Sequence, residues 1–184
     1  MKHYRMKLTC LVVGVIGLLT LSACATAPGS VAGKAEIEQD AAEALARAQR
    51  MDPTLSSVFS TAAGYAVFPS VGKGGMGFGG AYGKGVLYER GAAVGYCDLS
   101  QATVGFQLGG QAYTEIIAFE TPQAVDTFKE GNFRFDAQAT AVALQSGVGA
   151  NADFTNGVAV FTMDEAGLMY EAVVGGQKFS YQPK

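Results

Sequence analysis

The chain has 184 residues, a formal net charge of −3 and one histidine, His3, at its extreme start. If the leader argued below is removed, no histidine remains, which excludes a Ser-His-Asp triad, a Cys-His dyad and any imidazole metal ligand. The acidic balance argues against a nucleic-acid partner, which needs a basic face for phosphate.

The first residues, "MKHYRMK", form a cationic stretch through Lys2, Arg5 and Lys7, and an apolar run follows from Leu8 to Ala23. At 16 residues that run is short of the ~20 a spanning helix needs and has the length of a signal peptide. It closes on Leu21-Ser22-Ala23-Cys24, which resembles the lipobox of bacterial lipoproteins. The resemblance implies residues 1–23 as signal peptide, diacylglyceryl attachment at Cys24 and acylation of the new amino terminus, a palmitate-type anchor. Ala25 in place of Asp points to the outer membrane of the bacterial envelope, facing the periplasm. Loss of Lys2, Arg5 and Lys7 leaves 10 basic against 16 acidic residues, a mature charge of −6. With Cys10 removed and Cys24 lipidated, Cys97 is the one free thiol, so no intramolecular disulfide is expected. In "VGYCDLS" it reads as a small core residue before a nucleophile.

Residues 24–33, "CATAPGSVAG", are small and turn-rich and read as a tether. The folded domain is expected over 34–184. In "KAEIEQDAAEALARAQRM", Ile37, Ala41, Leu45, Ala48 and Met51 share one helical stripe, with Glu43 and Arg47 spaced as an i,i+4 pair. Pro53 stops the pattern, and a second short helix is expected over Leu55 to Ala63.

After Gly64 the period changes to two. "YAVFP" reads as a strand. From Met76 the even positions are Met76, Phe78, Gly80, Tyr82, Lys84, Val86 and Tyr88, and the odd ones Gly77, Gly79, Ala81, Gly83, Gly85 and Leu87, so one face is bulky and the other nearly bare. "ATVGFQLGGQAYTEIIAFE" repeats the idea. "PQAVDTFKE" reads as a helix opened by Thr121-Pro122 and closed by Gly131. "NFRFDAQATAVAL" reads as a strand whose alanines leave a helix open. "GVAVFTM" and "LMYEAVVGGQKFSY" read as a closing hairpin around a turn at "DEAG". The fold class expected is α+β: N-terminal helices packed on a largely antiparallel, curved, glycine-rich sheet, barrel-like or sandwich-like.

The stretch from Val71 to Gly85, "VGKGGMGFGGAYGKG", has eight glycines in fifteen residues. A Walker A loop would need glycine at Phe78 or Val67 and Ser or Thr at Gly85 or Gly74, so neither Gly-Lys pair qualifies. Gly75, Gly77 and Gly80 match G-x-G-x-x-G, but strand alternation continues where a helix should open. Kinase motifs are absent. The remaining reading is geometric: the glycine face of Gly75, Gly77, Gly79, Gly83 and Gly85 admits a close neighbour where a Cβ would clash. That neighbour is a helix or second sheet, with a bound lipid chain as the alternative.

"GYAVFPSVGKGGMGFGGAYGKGVLY", "VGFQLGGQAYTEIIAF", "NFRFDAQATAVAL" and "NGVAVFTMDEAGLMYEAVVGGQKFSY" together resemble the SYLF domain family, in its bacterial lipoprotein branch, from about Leu55 to the end. Eukaryotic members of that family bind phosphoinositides and bundle actin. The resemblance implies a non-enzymatic phospholipid-binding module without cofactor or metal, and, as the alternative, a structural protein that binds another envelope protein. Eukaryotic members carry a Trp-Ser-x-Pro-type segment where this chain has "AAVGYCDLS". For a lipid head group, the candidate bases are Lys73 and Lys84, flanking the glycine strand, then Arg47 and Arg50 at the end of the first helix. The alternative for the lysines is a solvated edge role. Asp164-Glu165 reads as an acidic turn tip, and "NADFTNG" lacks the ligand offsets of a calcium loop.

Overall fold

The computed structural model describes residues 30–105, 110–131, 133, 140–143, 145, 147–152, 154–164, 171–173 and 176–184. Cys24 and the leader lie outside them. Helix α1 (Val31–Met51) starts inside the expected tether: the Ser30 side chain caps it by accepting the Gly33 N–H at 3.1 Å. Ala41, Ala44 and Ala48 are its buried face, small enough to seat the helix close on the sheet. It ends at Asp52, before Pro53, and α2 (Leu55–Thr61) buries Leu55, Val58 and Phe59 on the same side.

The strands are β1 (Gly64–Glu89), β2 (Ala92–Gly105), β3 (Gly110–Phe119), β4 (Thr140–Ala143), β5 (Val158–Asp164), β6 (Glu171–Val173) and β7 (Lys178–Pro183). They form one sheet in the order β6-β4-β5-β3-β1-β2-β7, antiparallel throughout except for β4 against β5. Among the described residues the end strands β6 and β7 are not paired with each other, so the curved sheet stays open. This is the expected α+β class with a largely antiparallel sheet. Among the described residues the closing hairpin is not formed: β6 pairs with β4, while β7 pairs with β2 at the opposite end of the sheet; residues 165–170, which hold most of the expected turn, lie outside them. Of "NFRFDAQATAVAL", Thr140–Ala143 is strand and residues 134–139 lie outside the described set.

Helix α3 (Pro122–Lys129) follows its reading closely. Thr121 caps it by accepting the Ala124 N–H at 3.2 Å, Pro122 opens it, and Gly131 leaves it at φ +70°. The sheet has a core on each face. One lies under α1 and α2 and takes Val67, Val86, Tyr96, Ile116, Ala118 and Phe161. The other takes Phe68, Leu87, Leu99, Ile117, Phe119 and Phe179, with Val125 and Phe128 of α3. Here the rings interlock: Phe119–Phe128 at 5.0 Å, Phe128–Phe179 at 5.2 Å and Phe68–Phe179 at 5.8 Å. Cys97 sits in this second core, wholly buried, and burial pushes its thiol well up, which makes it inert as a nucleophile.

Candidate functional site

The glycine-bearing strand has two halves with different partners. Gly64 to Gly74 pairs with β3 and Gly77 to Glu89 with β2, with a register irregularity between Phe68 and Val71. Arg90 (φ 51°) and Gly91 (φ 78°) turn the chain from Glu89 to its partner Ala92, the left-handed pair a two-residue hairpin loop needs.

Within β1 the second half folds back over the first. A Cβ on Gly83 would stand 2.8 Å from Val71 Cγ2 and 3.1 Å from the Ser70 carbonyl oxygen. One on Gly85 would stand 2.6 Å from the Val67 carbonyl oxygen and 2.7 Å from the Phe68 ring. The bare face foreseen in the alternation is therefore the inner one here, and what covers Gly83 and Gly85 is the strand's own first half. Gly75, Gly77 and Gly79 continue the phase, and Gly77 lies in register with Gly105.

Alternation places Lys84 on the phase of Tyr82 and Lys73 on that of Val71, so the two lysines, both partly exposed, occupy opposite faces of β1. Lys84 stands opposite Asp98 of β2, and Tyr82 Oη donates to Asp98 Oδ1 at 3.2 Å. Burial raises the Asp98 carboxyl; the Tyr82 hydrogen bond and the Lys84 charge offset part of that rise. Lys73 stands opposite Gln111 of β3, next to the Gly74–Gly110 pair. Lys84 thus has a carboxylate within its field, whereas Lys73 has a neutral cross-strand partner.

The helix arginines differ from one another. Arg47 Nη2 donates to Thr114 Oγ1 at 2.6 Å, and that hydroxyl donates to the Pro69 carbonyl at 2.7 Å, so Arg47 pins the end of α1 to the irregularity in β1. The expected Glu43–Arg47 pair gives way to this contact, and Glu43 accepts instead from Gln39 at 2.9 Å. Arg50 sits in the last turn of α1, where it suits the helix dipole. The start of α1 holds Glu38, which accepts from Tyr96 Oη at 2.6 Å and pairs with Lys184 at 2.9 Å, and both contacts lower its pKa. Lys34 lies 5.0 Å over the Tyr96 ring.

Two carboxylates escaped the sequence reading. Asp52, wholly buried, collects the N–H and hydroxyl of Thr54 and the N–H groups of Gly147 and Gly149. Glu115, also wholly buried, accepts from Gln177 Nε2 at 2.9 Å. A signal for the second was present: in "YTEIIAF" the acid stands on the same phase as Tyr113, Ile117 and Phe119. At the end of "NADFTNG" the chain makes a tight turn, with Asn156 at φ 54° and Gly157 at φ 79° between the bridged Thr155 and Val158; Asp153 lies outside the described residues.

The family model described as Ysc84, Las17-binding protein actin regulator, matches residues 100–182. The chain is also similar to Beta cell expansion factor A of Aeromonas veronii, 28% identical over 137 residues, which are 74% of this chain and 52% of that protein. It spans about half the length of the curated relative it matches. The matched window contains β3, Glu115 and Gln177; Lys73 and Lys84 precede it.

Proposed function

We propose, for a chain whose residues 100–182 match the Ysc84 (SYLF) family model, a lipid-anchored envelope protein that binds phospholipid through a non-enzymatic module. The observation that carries the reading is this binding-family domain set behind a cationic, apolar leader ending in Leu-Ser-Ala-Cys. In this reading residues 1–23 are cleaved, Cys24 carries the acyl chains, and the domain faces the periplasm from the outer membrane. More than one chain is needed for stable anchoring, because each buried CH₂ contributes only ~0.8 kcal/mol.

The head-group contact is assigned to Lys73 first. Its cross-strand partner Gln111 is neutral, and it stands next to the Gly74–Gly110 pair that ends the β1–β3 ladder. Lys84 contributes less in this reading, since Asp98 shares its charge. Arg47 is taken up by Thr114 and Arg50 by the helix end. Co-sedimentation with anionic and zwitterionic vesicles tests the proposal.

A second reading is an envelope protein partner. The description of the matched family names a protein it binds, and this favours the alternative. Retention of an envelope protein in a pull-down, with no vesicle binding, would select it.

A further inference from the structure

Tyr113, Glu115, Ile117 and Phe119 share the phase of β3 that faces the α3 side of the sheet, and Glu115 is wholly excluded from solvent there. Its cross-strand neighbours are Phe68 on β1 and Thr162 on β5. Gln177, equally buried and one residue ahead of β7, donates to Glu115 Oε2 at 2.9 Å. Glu115 Oε1, Gln177 Oε1 and Thr162 Oγ1 have no hydrogen-bond partner among the described residues. An ionised carboxyl here would be a charge in an apolar site, compensated among the described residues by the Gln177 and Tyr113 side chains alone. The groups that face it are Phe68 from β1, Thr162 from β5, Gln177 from the segment entering β7 and Tyr113 on its own strand. Of these Tyr113 is titratable, and burial pushes that phenol far up, so it stays neutral. No described cation contributes to the carboxyl's field.

The bond to Gln177 lies at a mechanically important point. Two residues on, Phe179 fastens β7 to the inner core through Phe128 at 5.2 Å, Phe68 at 5.8 Å and Phe133 at 6.0 Å. The state of Glu115 therefore bears on whether the edge strand stays closed.

We propose that Glu115 is a proton-operated latch on β7: neutral, it is tolerated in the apolar site and the strand closes over the inner core; ionised, its need for water outweighs the firmer bond from Gln177 and opens the core beside Phe68 and Phe179. Burial raises the Glu115 carboxyl from 4.5 to about 7, with Gln177 and Tyr113 offsetting part of the rise. The folded value lies above the unfolded one. The latch is thus fully engaged below about 4.5 and is released as pH climbs through about 7. Between those values the opening equilibrium rises about tenfold per pH unit, then levels off.

The test is amide hydrogen exchange of Phe179 to Tyr181 in the full-length chain from pH 5 to 8, corrected for intrinsic exchange. Wild type should open about tenfold more per unit up to pH 7. Glu115→Gln should stay flat and be better protected than wild type at pH 8. Equal pH dependence in the two proteins would overturn the latch, as would the same rise in α1 as in β7. Should Glu115→Gln fail to fold, wild-type exchange decides together with the carboxyl titration: a rise in β7 that follows the Glu115 midpoint supports the latch, and a rise that does not follow it, or a midpoint near 4.5, overturns it. Gln177→Leu removes a donor that lowers the midpoint and should move it higher; an unmoved midpoint would remove Gln177 from the device.

Discussion

Asp52 Oδ2 accepts the backbone N–H of Gly149 at 2.6 Å across 97 residues of sequence. The same carboxylate takes the N–H of Gly147 at 3.1 Å and both donors of Thr54. The α1–α2 corner is thereby fixed to the turn before β5. Gly149 has to be glycine, since a Cβ there would stand 2.8 Å from the backbone nitrogen of Leu55.

Asp52→Ala should destabilise the domain by about 3 kcal/mol, because buried N–H groups lose a charged acceptor. Burial raises the Asp52 pKa, but the bonds from Thr54, Gly149 and Gly147 outweigh it and the net shift is downward. Its stabilisation is therefore present above 3.8 and is lost as pH falls through the lowered folded value. Urea titrations at neutral pH and below pH 4 check both points: the variant should show the loss at neutral pH and a flatter acid limb. An unchanged midpoint would show the clasp to be energetically idle.

Gly85→Ala places a methyl 2.6 Å from the Val67 carbonyl, a backbone atom that cannot swing aside. Gly83→Val meets Val71 and Ser70 in the same way. Each should cost about 1–3 kcal/mol as overpacking. Thermal melts equal to wild type would mean that the two halves of β1 do not pack on one another.

Arg47→Gln should weaken the α1–sheet contact by about 1 kcal/mol, the usual worth of one such hydrogen bond. Thr114→Val should have at least as large an effect, since the buried hydroxyl also serves Pro69. In vesicle binding Arg47→Gln should change little. A large loss of binding with unchanged stability would return Arg47 to the head-group site.

The sequence made the periodic parts legible. The α1 stripe up to Ala48, the β1 alternation and the capped α3 each repeat a local rule over several turns or pairs, so neighbours alone determine them; Met51, expected on the stripe, is exposed at the helix end, and Ala44 joins the buried face. The closing hairpin failed because β7 is placed by Phe179 packing on Phe68 and Phe128, contacts far apart in sequence. The Glu43–Arg47 pair failed for a related reason: Thr114, 67 residues from Arg47, offers a part-buried acceptor that a solvated glutamate does not match. Asp52 was hidden because its donors are backbone groups from a remote turn, which leave no mark on side-chain identity.

Cys24→Ser should release the protein from the membrane fraction or leave it unprocessed, and labelling by a palmitate analogue should disappear. Label that persisted on the serine variant would place the anchor elsewhere.

The most direct measurement is co-sedimentation of residues 30–184 with anionic and with zwitterionic vesicles at low and high salt, for wild type and for Lys73→Gln with Lys84→Gln. With its net negative charge the domain has to rely on a local cluster of bases. The wild type should bind anionic vesicles, lose that binding as salt rises, and lose most of it in the lysine variant. Absence of binding to either vesicle, or equal binding by both proteins, would contradict the account.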